Sequence, residues 1–214
     1  ENVVHGDATV AFAVVRPPGH HAGKAQGKGF CLLNNVAIAV AALRADAGLE
    51  RLAVLDWDVH HGDGSAELFA ADPAVFYAST HQSPWYPGTG AMPEATDSMV
   101  TVPLPAETGD EGFVDAWQQT VLPRLAAFRP EAIIMSAGFD AHRDDPLAWL
   151  EVSEQGFGEV ARSVGEIARE LGLTGVALAL EGGYDLAAIR ASAGATVRGL
   201  ISGIKGSAEP GPRT

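Results

Sequence analysis

The sequence carries one cysteine, Cys31, in 214 residues, so no disulfide can form within the chain, and such sparing use of thiols fits a reducing compartment. No apolar run approaches the ~18 residues that a membrane-crossing helix needs, and no secretory-leader pattern opens the chain. The expectation is therefore a protein without a membrane partner, located in the cytoplasm. Basic residues are scarce: 14 Lys and Arg stand against 27 Asp and Glu, for a net charge of −13. A chain this acidic lacks the basic footprint that phosphate backbones require, which argues against direct binding of nucleic acid. It permits cationic substrates, although surplus surface acid also serves simply for solubility. The first residue is Glu1 rather than methionine and a strand pattern follows closely, so a longer parent protein is expected.

Apolar residues are plentiful. They make up 47% of the chain against 19% charged, enough to bury a full core, and no repeat or linker divides them. One catalytic-type domain over residues 1–205 is expected, with a loose Gly/Pro/polar tail over 206–214. Apolar runs at 11–15, 52–55, 75–78, 133–136 and 176–180 read as buried strands, with a shorter strand at 99–102. Helical patterns fall between them. An alanine-rich one at 33–47 stops at Gly48, and a short one passes through 67–71. Another covers 111–128, where Pro123 should kink it. Ser153 is placed to cap a helix running to Leu171, and a last helix reaches about Ile201. Strands alternating with helices imply a mostly parallel sheet covered on both faces, and such sheets bind ligands beyond the carboxyl ends of their strands. Each of the five clear strands leads into a loop bearing Gly, His, Asp or Tyr. Those loops should share one rim, and the rim should hold the site.

The most informative stretch is Leu52–Gly64, where an apolar run turns polar without losing its period. In an extended chain Asp56, Asp58 and His60 share one face, while Trp57, Val59 and His61 share the other. Two carboxylates and an imidazole converging at a buried strand end call for a cation among them, and a divalent metal is the usual one. The alternative is an acidic strand end solvated by water, its histidines satisfied by the carboxylates. Gly62 and Gly64 bracket Asp63 in a turn whose backbone must pass close to something.

Asp58 and His60 supply two ligands, and a third must come from another strand end. Asp140 is the best placed, although an aspartate there can equally cap a turn. Three ligands with open positions make a catalytic type of site, and this donor set admits Fe(II) or Co(II) as well as zinc. His20 and His21 read either as surface residues of a Pro/Gly loop or, on a shared rim, as general acid and base. Asp56 and Asp63 are then free to orient them. Tyr184 follows two glycines. It either packs under a loop or aims its hydroxyl at a carbonyl opposite the metal.

Six segments then carry a resemblance. Arg-Pro-Pro-Gly-His-His-Ala (16–22), Gly-Phe-Cys (29–31), Asp-Trp-Asp-Val-His-His-Gly-Asp-Gly (56–64), Tyr-Pro-Gly-Thr-Gly (86–90), Ser-Ala-Gly-Phe-Asp (136–140) and Leu-Glu-Gly-Gly-Tyr (180–184) resemble the histone deacetylase/acetylpolyamine amidohydrolase superfamily, in order. Glu181 brings the likeness closest to its class II-like branch. The resemblance implies an α/β, arginase/deacetylase-like three-layer fold with a mostly parallel sheet. It also implies zinc-dependent removal of acetyl groups from acetylated lysine in peptides or proteins, or from acetylpolyamine-like small molecules.

Carried over by residue, it makes Asp58, His60 and Asp140 the zinc ligands and His21 the general base and acid, with Asp63 behind it. His20 becomes an electrostatic partner held by Asp56, and Tyr184 the donor to the oxyanion. Gly29, Phe30 and Tyr86 become the walls of a narrow channel. It also suggests potassium near Asp56, Ser79 and Thr80, with main-chain oxygens of Asp58 and His60. The family's domain starts well before the region matching Glu1, so an N-terminal part of the fold is expected to be missing. An edge strand left bare by that would invite association into oligomers. Two rival readings remain at this stage. A ureohydrolase would want two metals and gives Tyr184 no task, and an acyl-lysine-binding pseudoenzyme is not favoured by any replaced catalytic position.

Overall fold

The structure, a computed structural model, describes residues 2–206; the expected loose tail falls, from residue 207 on, outside the described residues. In chain order the elements are β1 (Val10–Ala13), α1 (Asn35–Ala47), β2 (Leu52–Asp56), α2 (Asp63–Phe69), β3 (Val75–Gln82), β4 (Glu94–Ala95), β5 (Met99–Leu104), α3 (Asp110–Asp115), α4 (Leu122–Phe128), β6 (Ala132–Ala137), α5 (Glu154–Glu170), β7 (Val176–Leu180) and α6 (Leu186–Lys205). The strands form one seven-stranded sheet in the order β1-β7-β6-β2-β3-β5-β4. Only β4 runs antiparallel to its neighbour. From β2 the chain builds outward through β3 and β5 on one side, then returns to lay β6 and β7 on the other. The reversal puts a crevice beyond the carboxyl ends of β2 and β6.

Alternation along β2 divides the core into two layers. Leu52 and Val54 face Val36, Val40 and Leu43 of α1 and Phe69 of α2. Ala53 and Leu55 face the opposite way, into a larger cluster with Phe113, Leu125, Phe157 and Leu200 from α3, α4, α5 and α6. Both faces of the sheet are therefore covered, which is why β2, β3 and β6 are buried at every residue.

The boundaries differ from the sequence reading in instructive places. The first strand ends at Ala13, leaving Val14 and Val15 exposed, because the chain turns away toward Arg16-Pro17. Helix α1 starts only after Asn34, whose side chain accepts from the Ala37 amide at 3.0 Å, so Leu33 lies outside it. The short helix begins at Asp63 rather than near 67. Strand β3 continues through Ser79, Thr80 and His81, which sit buried within the ladder rather than in the following loop. Strand β5 tolerates Pro103 because β4 pairs only with Val100 and Thr101, so the ladder beyond them has a partner on one side alone. The expected helix at 111–128 is helical throughout, with wider π-type turns over Ala116–Val121 just before Pro123. Widening there accommodates the missing amide and the ring of the proline. Ser153 caps α5 as expected, accepting from the Gln155 amide at 3.2 Å.

Candidate active site

Parallel pairing delivers the segments after β1, β2, β6 and β7 to one edge of the sheet. Beyond Asp56 the chain leaves the ladder, yet its alternation persists. Trp57 and Val59 enter the core, while Asp58 and His60 turn toward the segment after β6. There the ligand atoms of Asp58, His60 and Asp140 lie within 4.8 Å of one another. Asp58 Oδ1 is 3.0 Å from His60 Nδ1, and Asp140 Oδ2 is 3.2 Å from the same nitrogen. The outer bonds orient the carboxylates: the Gly182 amide donates to Asp58 Oδ2 at 2.7 Å, and the Val59 amide to Asp140 Oδ1 at 3.0 Å.

This trio fits a divalent metal. Both carboxylates are fully buried, and among the described residues Asp140 Oδ2 has no hydrogen bond despite its nearness to His60. A Cβ at Gly138 would overlap Asp58, and one at Gly182 would overlap Asp140, so the backbone closes around the pair. Burial, and then the Asp58 charge, push Asp140 up to about 6. Burial works against charge on His60 as well, yet the Asp140 and Asp58 carboxylates beside it hold it up at about 10. Such a site draws positive charge to itself. Two oxygens and one imidazole nitrogen around an open face are a donor set that Zn(II), Fe(II) or Co(II) accepts.

His20 and His21 follow the turn after β1, and the structure gives these neighbours opposite characters. Their ring centroids are 4.1 Å apart. His20 Nδ1 lies 3.0 Å from Asp56 Oδ2 and its Nε2 3.7 Å from Asp58 Oδ1. Burial opposes its charging, but Asp58 and Asp56 outweigh burial and keep His20 well above the usual imidazole range. His21 Nδ1 pairs with Asp63 Oδ1 at 2.9 Å. Burial pulls His21 below its ordinary value, and the charge of His20 adds to that in spite of the Asp63 bond. The carboxylates beside His20 thus favour its charged form, and the surroundings of His21 favour its neutral form. Separated titration of adjacent groups is the pattern expected where acid and base roles are divided.

The remaining expected residues surround the same opening. Gly29 and Phe30 both take left-handed backbone, with φ of 55° and 65°. A side chain at Gly29 would overlap the His21 ring, so that glycine is required by contact and by conformation. The Tyr86 ring stands edge-on to His21 at 5.1 Å and to His60 at 5.9 Å. Tyr184 lines the opening with them, its ring 6.3 Å from Phe30 and 5.9 Å from the Arg16 guanidinium. Burial, and then Asp140 and Asp58, raise the Tyr184 hydroxyl, so it stays protonated and able to donate. Asp56 and Ser79 are register partners across β2 and β3. The side-chain oxygens of Ser79 and Thr80 are engaged with His81 Nδ1, at 3.0 Å, and the Trp117 indole, at 3.1 Å.

Several participants had no legible role in the sequence. Glu181 is the most consequential: its Oε2 accepts the Gly19 and His20 amides at 2.6 and 3.1 Å, and its Oε1 the Ser136 hydroxyl at 3.1 Å. It therefore ties the histidine turn to β6 and β7. Burial pushes it up to about 7 against the pull of His20. Asp145 accepts the Tyr184 amide at 2.8 Å, and Lys28 pairs with the second oxygen of Asp63. Glu181→Ala would strand two buried amides, and it should lower unfolding free energy by about 2–4 kcal/mol in urea titration. Glu181→Gln, which keeps one acceptor oxygen, should recover part of that loss. An unchanged midpoint in the alanine variant would show that the amides find other partners.

A model of the histone deacetylase domain matches residues 1–200. The chain is 42% identical over 189 residues to a probable deacetylase of Archaeoglobus fulgidus, covering 86% of this chain and 52% of that protein. It superposes on the HD domain of HDA15 with a TM-score of 0.84 and 39% identity, covering 94% of this chain and 59% of the other. With an acetylpolyamine aminohydrolase from Burkholderia pseudomallei the TM-score is 0.80 at 36% identity, covering 94% and 58%. The chain thus spans little more than half the length of these relatives.

Proposed function

This chain belongs to the histone deacetylase family, and from that premise we propose that it is a metal-dependent amidohydrolase removing acetyl or related acyl groups from lysine-like alkylamines. The substrates of this reading are acetylated lysine in peptides or proteins and acetylpolyamine-like small molecules. The observation that carries it is the placing of two aspartate-held histidines, His20 on Asp56 and His21 on Asp63, beside the buried Asp58–His60–Asp140 trio. Asp58, His60 and Asp140 would hold one divalent ion, in the first instance Zn(II), which supplies polarisation of the acyl carbonyl and acidification of water. Potassium beside Asp56, Ser79 and Thr80 belongs to the same reading and has only the strand register in its favour.

The chain's own groups do the rest. His21, neutral and oriented by Asp63, takes the proton of the attacking water at Nε2. His20, held by Asp56 and drawn toward its charged form by Asp58 and Asp56, stabilises the negative charge that accumulates nearby. The Tyr184 hydroxyl donates to the developing oxyanion. His21 then returns its proton to the leaving amine. Phe30 and Tyr86 flank an alkyl chain and keep water from the reacting carbonyl.

His21→Ala tests this directly. Turnover of an acetyl-lysine peptide should fall roughly a hundredfold or more, the scale for general acid–base groups, with metal content unchanged by elemental analysis. A rate close to that of the unaltered protein would remove His21 from the mechanism.

A further inference from the structure

Two buried histidines next to the site have no part in the chemistry above. His61 leaves the β2 segment on the face opposite His60, and His81 lies near the end of β3; both are buried, with ring centroids 4.7 Å apart. Their polar atoms point to one target. His61 Nδ1 is 2.8 Å from Thr89 Oγ1, and His81 Nε2 is 2.9 Å from the Gly90 carbonyl oxygen. A carbonyl only accepts, so His81 carries its proton on Nε2, and its Nδ1 accepts from Ser79 Oγ at 3.0 Å. Among the described residues, buried His61 Nε2 has no partner. A stranded lone pair costs less than a stranded N–H, so the His61 proton belongs on Nδ1, directed at Thr89. Gly90 lies over both rings with a φ of 70°, where a Cβ would come within 2.8 Å of His61 Cγ.

We propose that His61 and His81 are positioning residues that fasten the loop from Ser83 to Met92 and thereby fix Tyr86 as a wall of the substrate channel. The ends of that loop are tied to the sheet by the Ser83 amide, 2.8 Å from the Leu104 carbonyl, and by the Met92 carbonyl, 3.3 Å from Thr101 Oγ1. Between those ends Trp85 packs on Trp149 and the two histidines hold Thr89 and Gly90. Tyr86 sits between these supports, edge-on to His21 and His60. The role rests on the amidohydrolase reading for its effect on substrate. The fastening itself does not.

The test exploits which nitrogen each ring uses. An asparagine amide reaches about where histidine Nδ1 lies, and a glutamine amide about where Nε2 lies. His61→Asn and His81→Gln should therefore keep the loop fastened, while His61→Gln and His81→Asn release it. Release should speed backbone amide exchange over residues 83–92 about tenfold, the scale of one hydrogen bond. In the same variants KM for an acetyl-lysine peptide should rise about fivefold with kcat within about twofold, because a loosened wall loses binding shared by ground and transition states. Thr89→Val, an exposed change on the loop side, should match His61→Gln and guards against variants that fail to fold. If the Asn and Gln variants at each position behave alike, the proposal is overturned. Crossed exchange without any change in KM overturns it too, because Tyr86 would then be held by something else. Should the unaltered protein hydrolyse no acylated amine, the functional reading fails on its own while the exchange pattern still decides the fastening.

Discussion

Asp140→Asn should leave the protein with far less than one divalent ion per chain and slow deacetylation by more than roughly a thousandfold, the largest loss expected from any single change here. Asparagine keeps the oxygen that accepts the Val59 amide, so the turn after β6 stays formed. What it removes is the charge at Oδ2, the buried oxygen without a hydrogen bond. The variant also separates a metal role from a structural one. In metal-free protein the two buried carboxylates oppose each other's charge, with burial and Asp58 raising Asp140. Neutralising one relieves that conflict, so with a chelator present Asp140→Asn should melt no lower than the parent. With metal restored the parent alone should gain stability, since ligand binding to the folded state adds to its free energy. Full metal retention, or melting curves that fall equally in both conditions, would dismiss Asp140 as a ligand.

Tyr184→Phe should cost roughly a hundred- to a thousandfold in turnover, the range for a single oxyanion donor. The ring contacts survive this change: Phe30 at 6.3 Å and the Arg16 guanidinium at 5.9 Å both meet the ring rather than the hydroxyl. The Tyr184 amide also keeps its bond to Asp145. KM and thermal stability should therefore move little, because the lost interaction belongs to the transition state. A trifluoroacetyl-lysine substrate, whose carbonyl needs less help, should be less sensitive to the change. Were Tyr184 present only for packing, phenylalanine would be harmless and Tyr184→Ala would act through stability instead. Undiminished acetyl-lysine turnover in Tyr184→Phe would sink the donor role.

The parallel sheet and the gathering of Asp58, His60, Asp140, His20, His21 and Tyr184 on one rim were legible because each leaves a continuous apolar run. Alternation alone placed Asp58 and His60 together even though the ladder stops at Asp56. What stayed hidden has a common cause: groups whose meaning comes from partners distant in the chain. In the sequence Glu181 only marks the branch of the resemblance, and its reach across to Gly19 and His20 shows what it does. His61 and His81 carry no local pattern, since their partners, Thr89 and Gly90, lie in a loop without periodicity. Polar Ser79–His81 look like a strand exit because polar residues usually end a strand, whereas here Ser79 and His81 bond each other, the Trp117 indole reaches Thr80, and the Gly90 carbonyl takes the other His81 nitrogen. Sequence locality captures what one strand presents. It cannot capture which strands become neighbours.

The strand order has a consequence for how the protein comes into being. Asp58 and His60 leave a ribosome long before Asp140, and Gly182, whose amide completes the shell of Asp58, is made later still. Strand β6 docks directly beside β2 although β3 and β5 come between them in the chain, and β1 waits for β7 to find its ladder. Closing such long loops is slow, so the β2–β6 and β1–β7 pairs form late in folding. A nascent chain therefore carries a histidine pair and two of the trio Asp58, His60 and Asp140 before the partners that bury them are made. Uptake of the proposed ion would wait until β2, β6 and β7 have met.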